Sequence, residues 1–427
     1  MSGALKFLSG IFAVVAMLVA AGGPLSARVW EVPATEGALS NILKQAQAGD
    51  VLRLAEGDHD GPIVMDLPLT LSGNGKARVL GNGTGSVITV NAADVVIEGL
   101  ELTGSGLSHE TLDAGVKLHK TAHRTIIRNN RILNNLTGVD VHGAHDAVVS
   151  NNLIEGRKDL RINERGNGIY VWNSPNLLAE FNTVRFGRDG IFVNTSHHDT
   201  FRNNRIENVR FAIHYMHGNH GVIEGNVSSG NDIGYALMFS DRLEIRDNVS
   251  IDDRNHGLML NYANRARISG NSVNGGGEKC LFMYNANKNA ISENRFEACP
   301  IGVHFTAGSA GNRFQGNAFI GNRTQVKYVG SRVLDWSTEG RGNYWSDHAA
   351  FDMNGDGLAD TSYRPNDMVD QVLWTQPSAK LLVGSPAVQL LRWTQSQFPA
   401  LLPGGIVDNA PLMQPPKVKI PNSGVQG

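Results

Sequence analysis

Apolar and polar residues alternate in short bursts over most of this chain, and the bursts recur at a fixed interval. One series reads "TIIRNNRIL", "AVVSNNLIE", "LLAEFNTVR", "TFRNNRIEN", "GVIEGNVSS", "LEIRDNVSI", "ARISGNSVN", "AISENRFEA" and "NRFQGNAFI". Each contains a central asparagine: Asn130, Asn152, Asn182, Asn204, Asn226, Asn248, Asn271, Asn294 and Asn317. Their spacing is 22 or 23 residues, with one gap of 30 that holds an eight-residue insertion in "GRKDLRINERG". A second series runs between them: "GVKL", "GVDV", "GIYV", "GIFV", "AIHY", "GYAL", "GLML", "CLFM", "GVHF" and "QVKY".

Each repeat therefore predicts two short alternating strands with turn residues between them. A unit of this length cannot bury its own apolar face, whereas stacked coils can. The pattern predicts an all-β fold, a right-handed parallel β-helix of 22–23-residue coils. The asparagines are expected at one inward bend, bonding to each other up the stack. Leucine-rich repeats share the period but need leucines this sequence lacks. "DVVIEGLEL" and "LPLTLSGNG" read as earlier, less regular coils. Before them, "EGALSNILKQAQAGD" has Leu39, Ile42, Leu43 and Ala46 at helical spacing and is expected to cap the open end. After Tyr328 the pattern stops. The remaining segment is turn-rich and aromatic, then carries short helical runs, and is expected to cover the other end or dock on a partner.

The chain begins with Lys6 and an apolar run from Phe7 to Ala21, followed by small residues. That pattern predicts a secretory signal. The expected organisation is a signal peptide over 1–27, the β-helix over 28–330, and a capping and docking extension over 331–427. The mature protein is expected to be exported and soluble.

Composition changes the picture little. The net charge of −2 argues against nucleic acid as a primary partner. Cys280 and Cys299 leave three readings open: a disulfide, two buried thiols, or a soft-metal contact.

Strand alternation assigns candidate chemistry. Residues two and four after each glycine should face outward. The first outward column reads Lys117, Asp140, Tyr170, Phe192, His214, Ala236, Met259, Phe282, His304 and Lys327. The second reads His119, His142, Trp172, Asn194, Met216, Met238, Asn261, Tyr284, Thr306 and Val329. The middle of this face is aromatic and sulfur-rich, which marks an interaction surface. His214, Met216, Met238 and Met259 bring imidazole and thioether together, a donor set suited to copper and above all to Cu(I). The competing reading is an apolar docking surface that includes Tyr170, Trp172, Phe192, Phe282 and Tyr284. The pairs His142/His145 and His197/His198 read first as solvated turn histidines.

A polysaccharide-modifying β-helix needs paired carboxylates on one exposed sheet, and the two columns carry a single acid, Asp140. Carbohydrate binding through the aromatics remains the alternative, and a structural surface protein is a third. In the tail, Asp352, Asn354, Asp356 and Asp360 stand at spacings of a calcium loop, without the flanking helices and with Tyr363 where the closing glutamate belongs. The competing reading is a simple turn.

Three tail strings, "GNYWSDHAAFDMNGDGLADTSYRPN", "AKLLVGSPA" and "FPALLPGGIVDNAPLM", behind such a β-helix, resemble the NosD family of nitrous oxide reductase maturation. The similarity runs over essentially the whole mature chain. The resemblance implies a non-enzymatic periplasmic protein working with an ABC transporter permease and ATPase and with a copper-binding lipoprotein chaperone. The cargo it implies is copper, with sulfur as a second candidate, destined for nitrous oxide reductase. Membrane association would then come only through the permease. Leu381, Leu382, Leu390, Leu391 and Trp393, outside the repeat, are the residues expected to meet it.

Overall fold

A computed structural model describes residues 27–417, apart from 307, 331, 383–384 and 398–404. The expected signal peptide, 1–27, lies almost wholly outside the described residues. No described helix is long and apolar enough to cross a membrane.

The chain winds into a parallel β-solenoid, and every pairing between successive coils is parallel. One face is a 12-stranded sheet running from Ile63–Met65 to Thr324–Val329. Two ladders of three-residue strands, such as Val222–Glu224 and Val227–Ser229, form the other walls. Inside lies one continuous hydrophobic core of Val, Ile, Leu and Phe from Val32 to Ile406.

Between the two short ladders stands the asparagine column. Asn226 donates its backbone N–H to Asn248 Oδ1 (3.0 Å) and its side-chain amide to Phe201 O (2.8 Å) and Asn248 Oδ1 (3.0 Å). Its own Oδ1 accepts two hydrogen bonds from Asn204. The same exchange links every rung from Asn130 to Asn317. Polar backbone at a buried bend would otherwise cost about 1–3 kcal/mol per unmatched group; here it is satisfied by the side chain one coil away.

The repeated glycine of the 12-stranded face has a steric cause. A Cβ on Gly190 would fall 2.4 Å from Ile206 Cγ2, and one on Gly257 would fall 2.3 Å from Val273 Cγ1. Cys280 occupies the matching position one coil beyond Gly257 and is joined by a disulfide to Cys299, resolving the three readings.

The capping helix forms over Ala38–Leu43, with Leu39 buried against the core. A strand the repeat reading passed over, Val29–Val32, precedes it and pairs with Val51–Leu54. The stack also continues beyond Tyr328. Asn317 bonds to Asn343, and Tyr344–Trp345 pairs with the strand Ala318–Ile320. Trp336 stacks on Phe314 (3.9 Å between ring centres) and Trp345 on Phe319 (4.4 Å), closing the core. From the far tail, Gly405–Val407 pairs with Val333–Asp335. Helices at Met368–Thr375 and Pro386–Gln397 follow the cap in the chain.

Candidate functional site

The outer side of the 12-stranded face keeps the register that strand alternation assigns. Asp140, Tyr170, Phe192, His214, Ala236, Met259, Phe282 and His304 pair in sequence, rung on rung. Trp172, Asn194, Met216, Met238, Asn261 and Tyr284 do the same beside them. Met216 and Met238 are thus direct neighbours. His214 and Met259 are not: Ala236 stands on the rung between them, so their backbones are about 10 Å apart.

The sequence reading missed a third outward column. The chain bends at the glycine, so the residue before it also reaches this face. Asp189, Phe211, Ile233, His256 and Lys279 stand in this column. Phe211 meets the His214 ring edge-on (5.1 Å), and His256 and Lys279 approach Phe282 (5.4 and 5.0 Å). This column crowds the middle one. His214 and Met259 face outward as expected, yet are only 7% and 9% exposed.

At the centre of the face Ala236 is fully buried. Met238, Met259, Ile233, Phe211 and Phe282 gather around it in an apolar cluster separate from the solenoid core. A small residue in a column of large ones lets neighbours from adjacent rungs close over it. His214 borders this cluster, stacked on Phe192 at 4.6 Å. Its Nδ1 lies 3.1 Å from Asp189 Oδ2, and its Nε2 is buried with no partner. Asp189 is fully buried and also accepts from Arg210, at 2.8 Å from Nε and 2.7 Å from Nη2. Burial works to raise the Asp189 carboxyl, but hydrogen bonds from His214 and Arg210 outweigh it and hold the group below the usual carboxylate range.

Asp140 is buried further up the face, and that burial pushes its pKa up to about 7; Lys117 Nζ is 3.6 Å away. The face therefore carries two acids, Asp140 and Asp189, on separate rungs. They do not form the pair that glycoside chemistry requires.

Among the aromatics expected to bind a partner, Tyr170, Phe192 and Phe282 are half-buried and packed ring to ring. Trp172 and Tyr284 are exposed, Trp172 stacking on His142 at 4.3 Å. A further exposed stack lies at the turn: His217, Phe239 and Tyr262, with ring centres 5.1 and 5.2 Å apart. His198 stacks on His220, and His197 Nδ1 accepts from the Asn219 N–H, so these histidines do pack within the turns. No group of three or more His, Cys, Asp or Glu able to hold a metal ion occurs among the described residues.

The calcium expectation finds no support. Asp352 accepts the N–H groups of Gly355 and Gly357, Asn354 that of Asp356, and Asp360 that of Met353. These residues are accounted for as a turn closing on its own backbone. In the tail helices, Leu381, Leu382, Leu390, Leu391 and Trp393 all present exposed surface, Leu381 at 93%.

Comparison with known proteins follows this geometry. Residues 150–350 match the family model described as periplasmic copper-binding protein (NosD), and residues 71–184 match the right-handed β-helix region. A protein of Stutzerimonas stutzeri named probable ABC transporter binding protein NosD is 40% identical over 382 residues, covering 86% of this chain and 88% of that protein. Its counterpart in Pseudomonas aeruginosa PAO1 is 38% identical, covering 85% and 88%. Among solved structures, the Streptococcus pneumoniae surface protein and adhesin PfbA superposes with a TM-score of 0.52 at 12% identity, over 68% of this chain and 94% of that one. The bacteriophage phi29 gene product 12 N-terminal fragment gives 0.51 at 13% identity, over 66% and 64%. These two likenesses speak for the fold alone. The identity to the curated relatives, held over nearly their whole length, is of another order: this chain belongs to the NosD family.

Proposed function

We propose that this protein is a periplasmic, non-enzymatic binding component of an ABC transporter system, and that it receives and passes on copper for the copper centres of nitrous oxide reductase. The observation that carries the copper reading is the sulfur-bearing cluster packed around Ala236. It holds two thioethers, Met238 and Met259, Met216 is the rung neighbour of Met238, and the buried Nε2 of His214, whose ring meets Phe211 of this cluster, has no partner. Thioether and imidazole donors in an apolar, half-closed setting favour Cu(I) over hard cations. The descriptions attached to the family and its relatives point the same way. Copper is cargo here: the cluster lies on the outer side of the 12-stranded face, where a lipoprotein chaperone could hand it over. Sulfur as cargo has no donor set of its own on this face.

The exposed Leu381, Leu382, Leu390 and Leu391, with Trp393, lie outside the solenoid and are the surface we assign to the permease. The ATPase would act through the permease.

The test is anaerobic Cu(I) titration against a chromogenic chelator, with wild type and a Met216→Leu/Met238→Leu/Met259→Leu variant. Wild type takes copper from the chelator and the variant does not. Equal behaviour of the two would remove the methionine face as the copper site.

A further inference from the structure

A buried side chain that needed only to fill space would not be a histidine at position 214. The same column takes phenylalanine at Phe192 and Phe282, and a second histidine, His304, whose Nδ1 is likewise buried without a partner. An imidazole there leaves Nε2 buried and unmatched, which costs about 1–3 kcal/mol and gains nothing in packing. The neighbouring carboxylate explains the choice. Arg210 binds both oxygens of Asp189 and fixes the carboxylate plane. An ionised carboxylate can only accept, so the His214 proton sits on Nδ1 and donates to Asp189 Oδ2. The Nε2 lone pair is then free and fixed in direction. A carboxylate behind one imidazole nitrogen is the usual support of a histidine whose other nitrogen binds a metal.

We propose that Asp189, clamped by Arg210, is the positioning residue that holds His214 as the nitrogen ligand for Cu(I) beside the methionine-bearing cluster around Ala236. This rests on the copper reading above. It adds residues outside the methionine–histidine set, drawn from two consecutive coils. Asp189 orients the ligand and touches no metal itself. Arg210, whose guanidinium also lies 4.4 Å from the Phe211 ring, ties this support to the cluster around Ala236.

The experiment has two arms. In the first, copper-free wild-type protein with 15N-labelled histidine is examined by NMR. His214 is expected as the Nδ1–H tautomer; finding the proton on Nε2 overturns the proposal whatever any variant does. In the second, Asp189→Asn and Asp189→Glu are titrated with Cu(I), and the loaded proteins are examined by X-ray absorption at the copper edge. Asp189→Asn should weaken Cu(I) binding about 10- to 100-fold and lose the imidazole scattering while the sulfur scattering stays. Asp189→Glu, which keeps the carboxylate, should recover part of both. Unchanged affinity with unchanged imidazole scattering in Asp189→Asn overturns the proposal while leaving the methionine site intact. Absence of Cu(I) uptake by wild type instead removes the copper reading itself, and this proposal with it.

Discussion

The Asp408 carboxylate accepts the backbone N–H of Asn343 at 2.7 Å, across 65 residues of sequence. The same oxygen accepts from Trp345 Nε1 at 2.9 Å and from the Asn343 side chain at 3.3 Å. The asparagine column thus ends on an acid supplied by the far tail. Asp408 is fully buried, and its burial raises its pKa despite these bonds. Asp408→Ala should leave several buried donors unmatched and cost about 2–5 kcal/mol. Urea unfolding followed by tryptophan fluorescence should show Trp336 and Trp345 released ahead of the strand signal in circular dichroism. A midpoint equal to wild type would mean the tail does not secure the last coil.

Asp253 predicts a pH dependence. Burial pushes its carboxyl up to about 6, against hydrogen bonds from Ser250, Ser228 and the Asn231 N–H. Between the ordinary aspartate value and about 6 the folded protein holds a proton that the unfolded chain releases. Stability contributed by this site is present at acid pH and falls as pH rises through that window. Asp253 occupies the ladder position that Asn231 fills one coil earlier. Asp253→Asn should therefore fold and should flatten the decline in melting temperature between pH 4 and pH 7. An unchanged slope would rule Asp253 out as its source.

The Cys280–Cys299 disulfide closes a loop of 19 residues within the core. Its loss should cost about 3 kcal/mol on the chain-entropy account. Denaturant midpoints of wild type and a Cys280→Ala/Cys299→Ala variant, each with and without reductant, check this. Wild type without reductant should stand alone above the other three.

Thr195 holds a left-handed backbone, φ 56°, at an exposed turn. The equivalent positions on other coils are Asn173, His217, Phe239, Tyr262 and Asn285, all left-handed with φ between 46° and 55°, and none of them is β-branched. A β-branched residue is strained there and asparagine much less so. Thr195→Asn should raise stability by about 1 kcal/mol, seen as a higher melting temperature with Cu(I) uptake unchanged.

Leu381→Glu with Leu390→Glu should reduce co-purification with the permease while leaving melting temperature and Cu(I) uptake as in wild type. Retained co-purification would move the docking surface elsewhere.

The regular half of the molecule was open to inspection in its sequence, because a strand in a stacked coil repeats its environment every 22 or 23 residues. Asn226 sees what Asn204 and Asn248 see, and so the ladder and both outward columns could be drawn correctly. Position 343 escaped because the interval widens to 26 residues there, and Val29–Val32 because a helix separates it from the next strand. The candidate site was half legible. Met216 and Met238 follow from alternation alone. Asp189 does not, because the bend at Gly190 turns its side chain onto a face that strict alternation denies it. Without Asp189, the burial of His214 and the direction of its free nitrogen had no visible cause.

The unbroken register has a mechanical meaning. From Ala114 to Thr324 the 12-stranded face pairs coil to coil with no slip, and the register shift between Ser72 and Ala77 falls in the other sheet, far upstream. A beam without a joint transmits displacement whole. Eleven spacings separate its end strands, about 53 Å, so a tilt of about 10° imposed at the C-terminal cap would carry the opposite end sideways by about 9 Å. Met238 lies four spacings from the end strand Thr324–Val329, about 19 Å along this beam, and would swing by about a third as much, without any change in its own surroundings.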